Sequence, residues 1–72
     1  MTIVDLRGLK CPLPVLRTRK ILSEMASGAV IAVACTDPLA AIDIPNLLRE
    51  TGDALESTER AGDVVTFRIR KA

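Results

Sequence analysis

Seventy-two residues suffice for one small domain, near the size at which a chain needs staples to fold alone. Two cysteines and no histidine exclude a Cys/His zinc site within one chain, and two thiols are too few for a disulfide framework. A net charge of +1 gives no field to recruit nucleic acid or membrane, and a single aromatic, Phe67, leaves little to stack RNA bases on.

With 49% hydrophobic and 26% charged residues the chain reads as globular, with an aliphatic core. "MTIVDLRG" mixes acid and base within its first residues and does not read as a signal peptide. No apolar run approaches a membrane span, so a cytoplasmic protein with reduced thiols is expected, as a single domain over 1–72.

"IVDL", residues 3–6, predicts a short strand closed by Gly8. Residues 12–27 carry helical spacing. At about 100° per residue Val15, Thr18, Ile21, Leu22, Met25 and Ala26 share one arc, and Gly28 is placed to cap the end. "AVIAVACT", 29–36, is an apolar, β-branched run expected as a central strand. In "TDPLAAIDIPNLLRETG", Thr36 or Asp37 can cap a helix with Pro38 at its first position. Pro45 cannot donate to Ala41, so a kink or restart is expected there, with Asp43 as the second cap and Gly52 as the stop. "DALESTER" reads as a strand with Leu55 and Glu56 on opposite faces, "AGD" as a hairpin turn, and "VVTFRIRK" as a strand with Val65, Phe67 and Ile69 inward. The expected fold is α+β, a two-layer α/β sandwich in the order β-α-β-α-β-β. A four-stranded mixed sheet carries two helices on one face.

"GLKCPLP", 8–14, breaks these patterns. With Cys11 just before the first helix, Pro12 falls at the first helical position and Pro14 at the third, where missing N–H groups cost nothing. A thiol at a helix amino terminus beside Lys10 is expected to favour thiolate and titrate below the ordinary value of about 8.5. The thiolate is the form that attacks disulfides, persulfides and metals. The plain alternative is a small core cysteine; the polar neighbour and the two prolines argue instead for a surface turn.

"DLRGLKCPLPVLRTRKIL" followed by "TDPLAAIDIP" resembles the TusA/SirA-like sulfur-carrier family over essentially the whole chain. Cys11-Pro12-Leu13-Pro14 matches the family's Cys-Pro-x-Pro signature after the Gly8-Leu9 lead-in. Asp37-Pro38 and Asp43-Ile44-Pro45 match its second element at the right spacing. The resemblance implies a sulfurtransferase-type carrier without turnover chemistry of its own. Cys11 would accept sulfane sulfur as a persulfide from a cysteine desulfurase or rhodanese-like donor and pass it to an acceptor protein. The destinations it suggests are tRNA thiolation, molybdenum cofactor biosynthesis and sulfur metabolism. Leu13 stands where the family's best-known tRNA-thiolation member has an acidic residue, which leaves the partner open.

A monomer without cofactor or metal is expected. Leu13, Leu16, Arg17 and Lys20 lie opposite the core arc as a candidate docking patch, against the reading of scattered surface leucines. Pro12, Pro14, Lys10 and Asp37 would support the thiol by stiffening, charge and helix capping. Cys35 reads as a buried strand residue rather than a resolving thiol. Arg68, Arg70 and Lys71 read as a solvated basic end. The competing function is a non-catalytic RNA-binding or regulatory module using the open sheet face, since the layout is shared with such domains.

Overall fold

The computed structural model describes residues 2–72, as β1 (Thr2–Leu6), α1 (Leu13–Glu24), β2 (Val30–Cys35), α2 (Ala40–Thr51), β3 (Ala54–Ala61) and β4 (Val64–Arg70). The sheet order is β1-β2-β4-β3. β1 runs parallel to β2, and β4 runs antiparallel to both of its neighbours. A parallel β1–β2 pair needs a crossover, and α1 supplies it. The expected four-stranded mixed sheet with two helices is therefore the observed architecture.

The core lies between sheet and helices. Val33, Cys35, Phe67 and Ile69 are buried on the sheet's inner face; Leu22, Ile44, Leu47 and Leu48 meet them from the helices. β2 lies inside the sheet as the central strand that "AVIAVACT" predicted, and Val65, Phe67 and Ile69 point inward as "VVTFRIRK" predicted. The hairpin is tight: Ala61 pairs with Val64, and Gly62 takes φ +60 at the first turn position, a left-handed conformation that strains any residue with a Cβ.

The helices depart from the predicted boundaries. α1 starts at Leu13 with Pro12 as its cap, so Pro14 is the second helical residue rather than the third. It stops at Glu24 because Met25 turns extended (φ −87, ψ 148). Ala26 is consequently exposed and off the core arc. Gly28 is a turn residue instead of a helix cap, and its N–H donates to the Lys71 carbonyl at 2.8 Å. Thr18 is fully buried on α1 because its hydroxyl donates to the Pro14 carbonyl at 2.7 Å.

α2 runs unbroken through Pro45 and ends on Gly52 (φ +82), whose N–H donates to the Leu48 carbonyl at 2.9 Å. No restart occurs, and Asp43 caps nothing. An interior proline costs about 3 kcal/mol. Burial of Ile44, Leu47 and Leu48 around it returns roughly 1.5–3 kcal/mol per side chain, so packing wins. In β3 the register shifts between Leu55 and Ser57, which breaks the simple alternation read from "DALESTER". Glu56, at the shift, accepts hydrogen bonds from Arg68 (3.1 Å) and Arg70 (2.7 Å). Among the described residues no helix is long and apolar enough to cross a membrane.

Asp53 ties the carboxyl-terminal end to the fold. Its buried side chain accepts from the Ala72 N–H at 2.9 Å and the Thr51 hydroxyl at 2.8 Å, with Lys71 Nζ 3.7 Å away. Burial pushes this carboxyl up, but those hydrogen bonds and the lysine together hold it below its ordinary value. The native state thus favours the ionised form. Its stabilisation is present above the unfolded-chain value of about 4 and is lost as pH falls through the depressed native value. Asp53→Ala should cost on the order of 2 kcal/mol at neutral pH. The gap between the urea midpoints of wild type and variant should begin to shrink below about pH 4 and keep shrinking as pH falls through the depressed native value.

Candidate functional site

β1 and β2 are parallel, so their carboxyl ends lie at one edge of the sheet, and the loops leaving them meet there. The loop after β1 carries Gly8 to Cys11; the loop after β2 carries Thr36 to Leu39. Together they line a cleft of about 400 Å³. Local chemistry fixes the junction. Gly8 takes φ +85, and its N–H donates to Thr36 Oγ1 at 2.9 Å. Asp37 bridges the two loops: Oδ1 accepts from the Leu39 N–H at 3.0 Å, and Oδ2 accepts from the Cys11 N–H. Asp37 therefore turns the chain into α2 and holds Cys11 by its backbone, whereas the helix itself begins at Ala40 without a side-chain cap.

Cys11 is exposed, and its Sγ–H donates to Asp43 Oδ2 at 3.3 Å. Asp43 reaches the sulfur because α2 does not restart at Pro45. One turn into the helix, its side chain is free to face α1.

The expected thiolate is corrected by this geometry. The hydrogen bond to Asp43 comes first, then partial burial, then the negative charges of Asp43 and Asp37; all push the Cys11 thiol above its ordinary value. The helix terminus does not reach the sulfur, because α1 begins two residues after Cys11. Its first N–H, from Leu13, is already spent on the Lys10 carbonyl at 2.9 Å. Two carboxylates near the sulfur outweigh a half-charge at a helix end. Lys10 lines the cleft and is exposed, in no ion pair among the described residues.

Cys35 is fully buried at the end of β2. Burial, with a smaller contribution from Asp37, pushes its thiol up to about 11. It sits in the core as a protonated, packed side chain.

The proposed docking residues Leu13, Leu16, Arg17 and Lys20 are all exposed on α1. The structure adds Leu39 and Ile42, 51% and 60% exposed at the start of α2. Both helices leave the same sheet edge, so these four apolar side chains lie at the Cys11 end of the molecule. Sequence reading passed over Leu39 and Ile42 because a helix start beside a proline read as capping alone. Asp43 had a clearer signal, being a short acidic side chain in the second motif, but it too was assigned to a cap. The basic end of β4 is largely neutralised: Arg68 and Arg70 pair with Glu56, and Lys71 with Asp53.

The family model described as Sulfurtransferase TusA matches residues 2–71. The chain belongs to the TusA family. Among its relatives is the Sulfur carrier protein TusA of Allochromatium vinosum, 39% identical over 96% of this chain and 91% of that protein. A Putative sulfur carrier protein of Archaeoglobus fulgidus is 42% identical over 97% and 92%. The crystal structure of a SirA-like protein from Desulfitobacterium hafniense superposes with a TM-score of 0.85, at 27% identity over 97% and 96% of the two chains. Of the two free cysteines, Cys11 is exposed at this loop edge and Cys35 is buried. Membership supports a sulfur-carrier role with donor and acceptor protein partners.

Proposed function

We propose that this TusA-family protein carries sulfane sulfur as a persulfide on Cys11, receiving it from a persulfide-bearing donor protein and relaying it to an acceptor protein. The observation that carries the reading is the placement of Cys11: an exposed thiol at the rim of a cleft, fixed by its backbone to Asp37 and by its sulfur to Asp43. Transfer is attack of Cys11 on the outer sulfur of the donor's persulfide, with departure of the donor thiolate. A thiol held mostly protonated suits a carrier that must not react with every disulfide it meets. The roles assigned to Pro12 and Pro14 are to present Cys11 at the start of α1. Tests with a cysteine desulfurase and radiolabelled cysteine should give reductant-labile label on the wild type; absence of label with competent donors would remove the reading.

Leu13, Leu16, Leu39 and Ile42, flanked by Arg17 and Lys20, form the surface that a partner would cover on reaching the sulfur. Such a patch, apolar at its centre and cationic at one side, favours partners with acidic groups at the matching rim. Double charge reversal, Arg17→Glu with Lys20→Glu, should slow transfer from a protein donor by about 10-fold or more at low salt while leaving uptake from a small-molecule persulfide unchanged. Equal slowing with both donors would place the effect at the thiol rather than at the surface. The cytoplasm is the compartment in which a reduced Cys11 would be maintained.

The competing RNA-binding reading draws less from the molecule. Phe67, the one aromatic, is 1% exposed, Arg68 and Arg70 of β4 are paired to Glu56, and Lys71 just beyond it is paired to Asp53.

A further inference from the structure

Resting on the reading of Cys11 as the sulfur acceptor, we propose that Asp43 is a catalytic residue of the transfer: its Oδ2 takes the proton from Cys11 Sγ as the sulfur attacks.

Three observations support this. Asp43 Oδ2 already accepts a hydrogen bond from Cys11 Sγ at 3.3 Å, within the range of a sulfur donor, so the acceptor is aligned on the proton that must leave. Asp43 is committed to nothing else: it caps no helix, and its side chain makes no ion pair among the described residues. The groove it lines with Pro12, Val15 and Arg19 of the first segment and Asn46, Leu47 and Glu50 of α2 keeps the carboxylate half-buried beside the thiol.

The charged groups around the pair divide the work. Arg19 and Glu50 line the same groove but bridge each other at 3.2 Å. Asp37 is occupied by the Cys11 and Leu39 N–H groups, so it positions the backbone and does not reach the proton. Lys10 lines the cleft on the other side of Cys11. Among the described residues Asp43 is the one carboxylate whose oxygen meets the sulfur.

In the step, the Sγ–H bond of Cys11 breaks and its proton passes to Asp43. The freed electron pair bonds to the outer sulfur of the donor's persulfide. The donor's S–S bond breaks, its electron pair leaves on the donor thiolate, and the proton held by Asp43 is delivered there. A thiol and a persulfide become a persulfide and a thiol, with no net oxidation. The carboxylate serves both halves of the exchange: it holds the Cys11 proton while Sγ attacks and returns it to the departing donor sulfur, a delivery that a thiolate formed without Asp43 lacks and that the departure of iodide from iodoacetamide does not need.

Two readouts must move in opposite directions. Asp43→Asn removes a proton acceptor and a negative charge, both of which favour the thiol form. Alkylation of Cys11 by iodoacetamide near neutral pH should therefore become faster, with Cys35 remaining unmodified. Sulfur uptake from cysteine persulfide, followed by intact mass, should instead fall by about 10²-fold at the same pH. The deficit should close as pH rises past the ordinary thiol value of about 8.5, where the donor leaves as thiolate and needs no proton returned. Uptake equal to or faster than wild type near neutral pH overturns the proposal, and so does a deficit that stays constant at every pH, which is the behaviour of a misfolded or merely displaced site. Asp43→Glu should recover part of the neutral-pH rate, and a variant no faster than Asp43→Asn counts against a base at this position. If wild type itself takes up no sulfur, or Cys11→Ser takes up as much, the carrier reading fails and Asp43 falls with it.

Discussion

Cys11→Ser should fold as wild type and take up no sulfur. The side chain is exposed, and its one side-chain bond, to Asp43, can be kept by a hydroxyl, so melting should shift by no more than about 0.5 kcal/mol. Uptake is another matter. A serine hydroxyl is not appreciably ionised near neutral pH and does not attack a persulfide sulfur, so the loss should be complete within detection. Cys35 cannot substitute. It is 1% exposed, and its thiol is pushed up to about 11, which leaves it both unreachable and protonated. Incubation of wild type, Cys11→Ser and Cys35→Ser with a desulfurase and radiolabelled cysteine separates these roles: label on the first and third, none on the second.

Phe67→Ala should lower the melting midpoint far more than any surface substitution. Phe67 is the largest fully buried side chain, paired across the sheet to Val33 and to Thr58. Its truncation costs about 3–5 kcal/mol in a core that cannot collapse around the gap. A chain of this length holds only about 4–11 kcal/mol in total, at roughly 0.05–0.15 kcal/mol per residue. The loss takes between about a quarter and the whole of that reserve, and both cysteines are free, so no disulfide softens it. Ile3→Ala, on a residue 73% exposed, should move the urea midpoint hardly at all. Circular dichroism melts of the two variants side by side check the contrast.

Much of the fold was legible because its signals are local. "VVTFRIR" alternates with period two, "VIAVAC" is apolar throughout, and "AGD" turns between two strands; each became the element it predicted. Boundaries failed where tertiary packing overrode local chemistry. Pro45 sits inside α2 because Ile44, Leu47 and Leu48 are buried on either side of it, an energy that no window of sequence displays. Gly28 looked like a helix cap but serves the carboxyl-terminal strand, 43 residues on, through the Lys71 carbonyl.

The site was legible in kind but not in electrostatics. The cysteine, the two prolines and the second motif with Asp37 and Asp43 were all visible in the sequence. What the sequence could not show is that the two motifs meet. The Cys11 N–H finds Asp37 26 residues away, and its thiol finds Asp43 32 residues away. Read along the chain, both aspartates are helix caps. Read in space, they surround a sulfur, and that proximity turns a predicted thiolate into a held thiol. The helix dipole was the right local idea for a residue whose environment is set by a different segment.

The central claim is that one sulfur atom rides on Cys11. Peptide-resolved mass spectrometry tests it most directly. Wild-type protein is exposed to a cysteine desulfurase and cysteine, trapped with a persulfide-selective alkylating agent and digested. One added sulfur is expected on the peptide that carries Cys11 and none on the peptide that carries Cys35. Added sulfur on the Cys35 peptide, or on neither peptide with a donor proven active on another carrier, would contradict it.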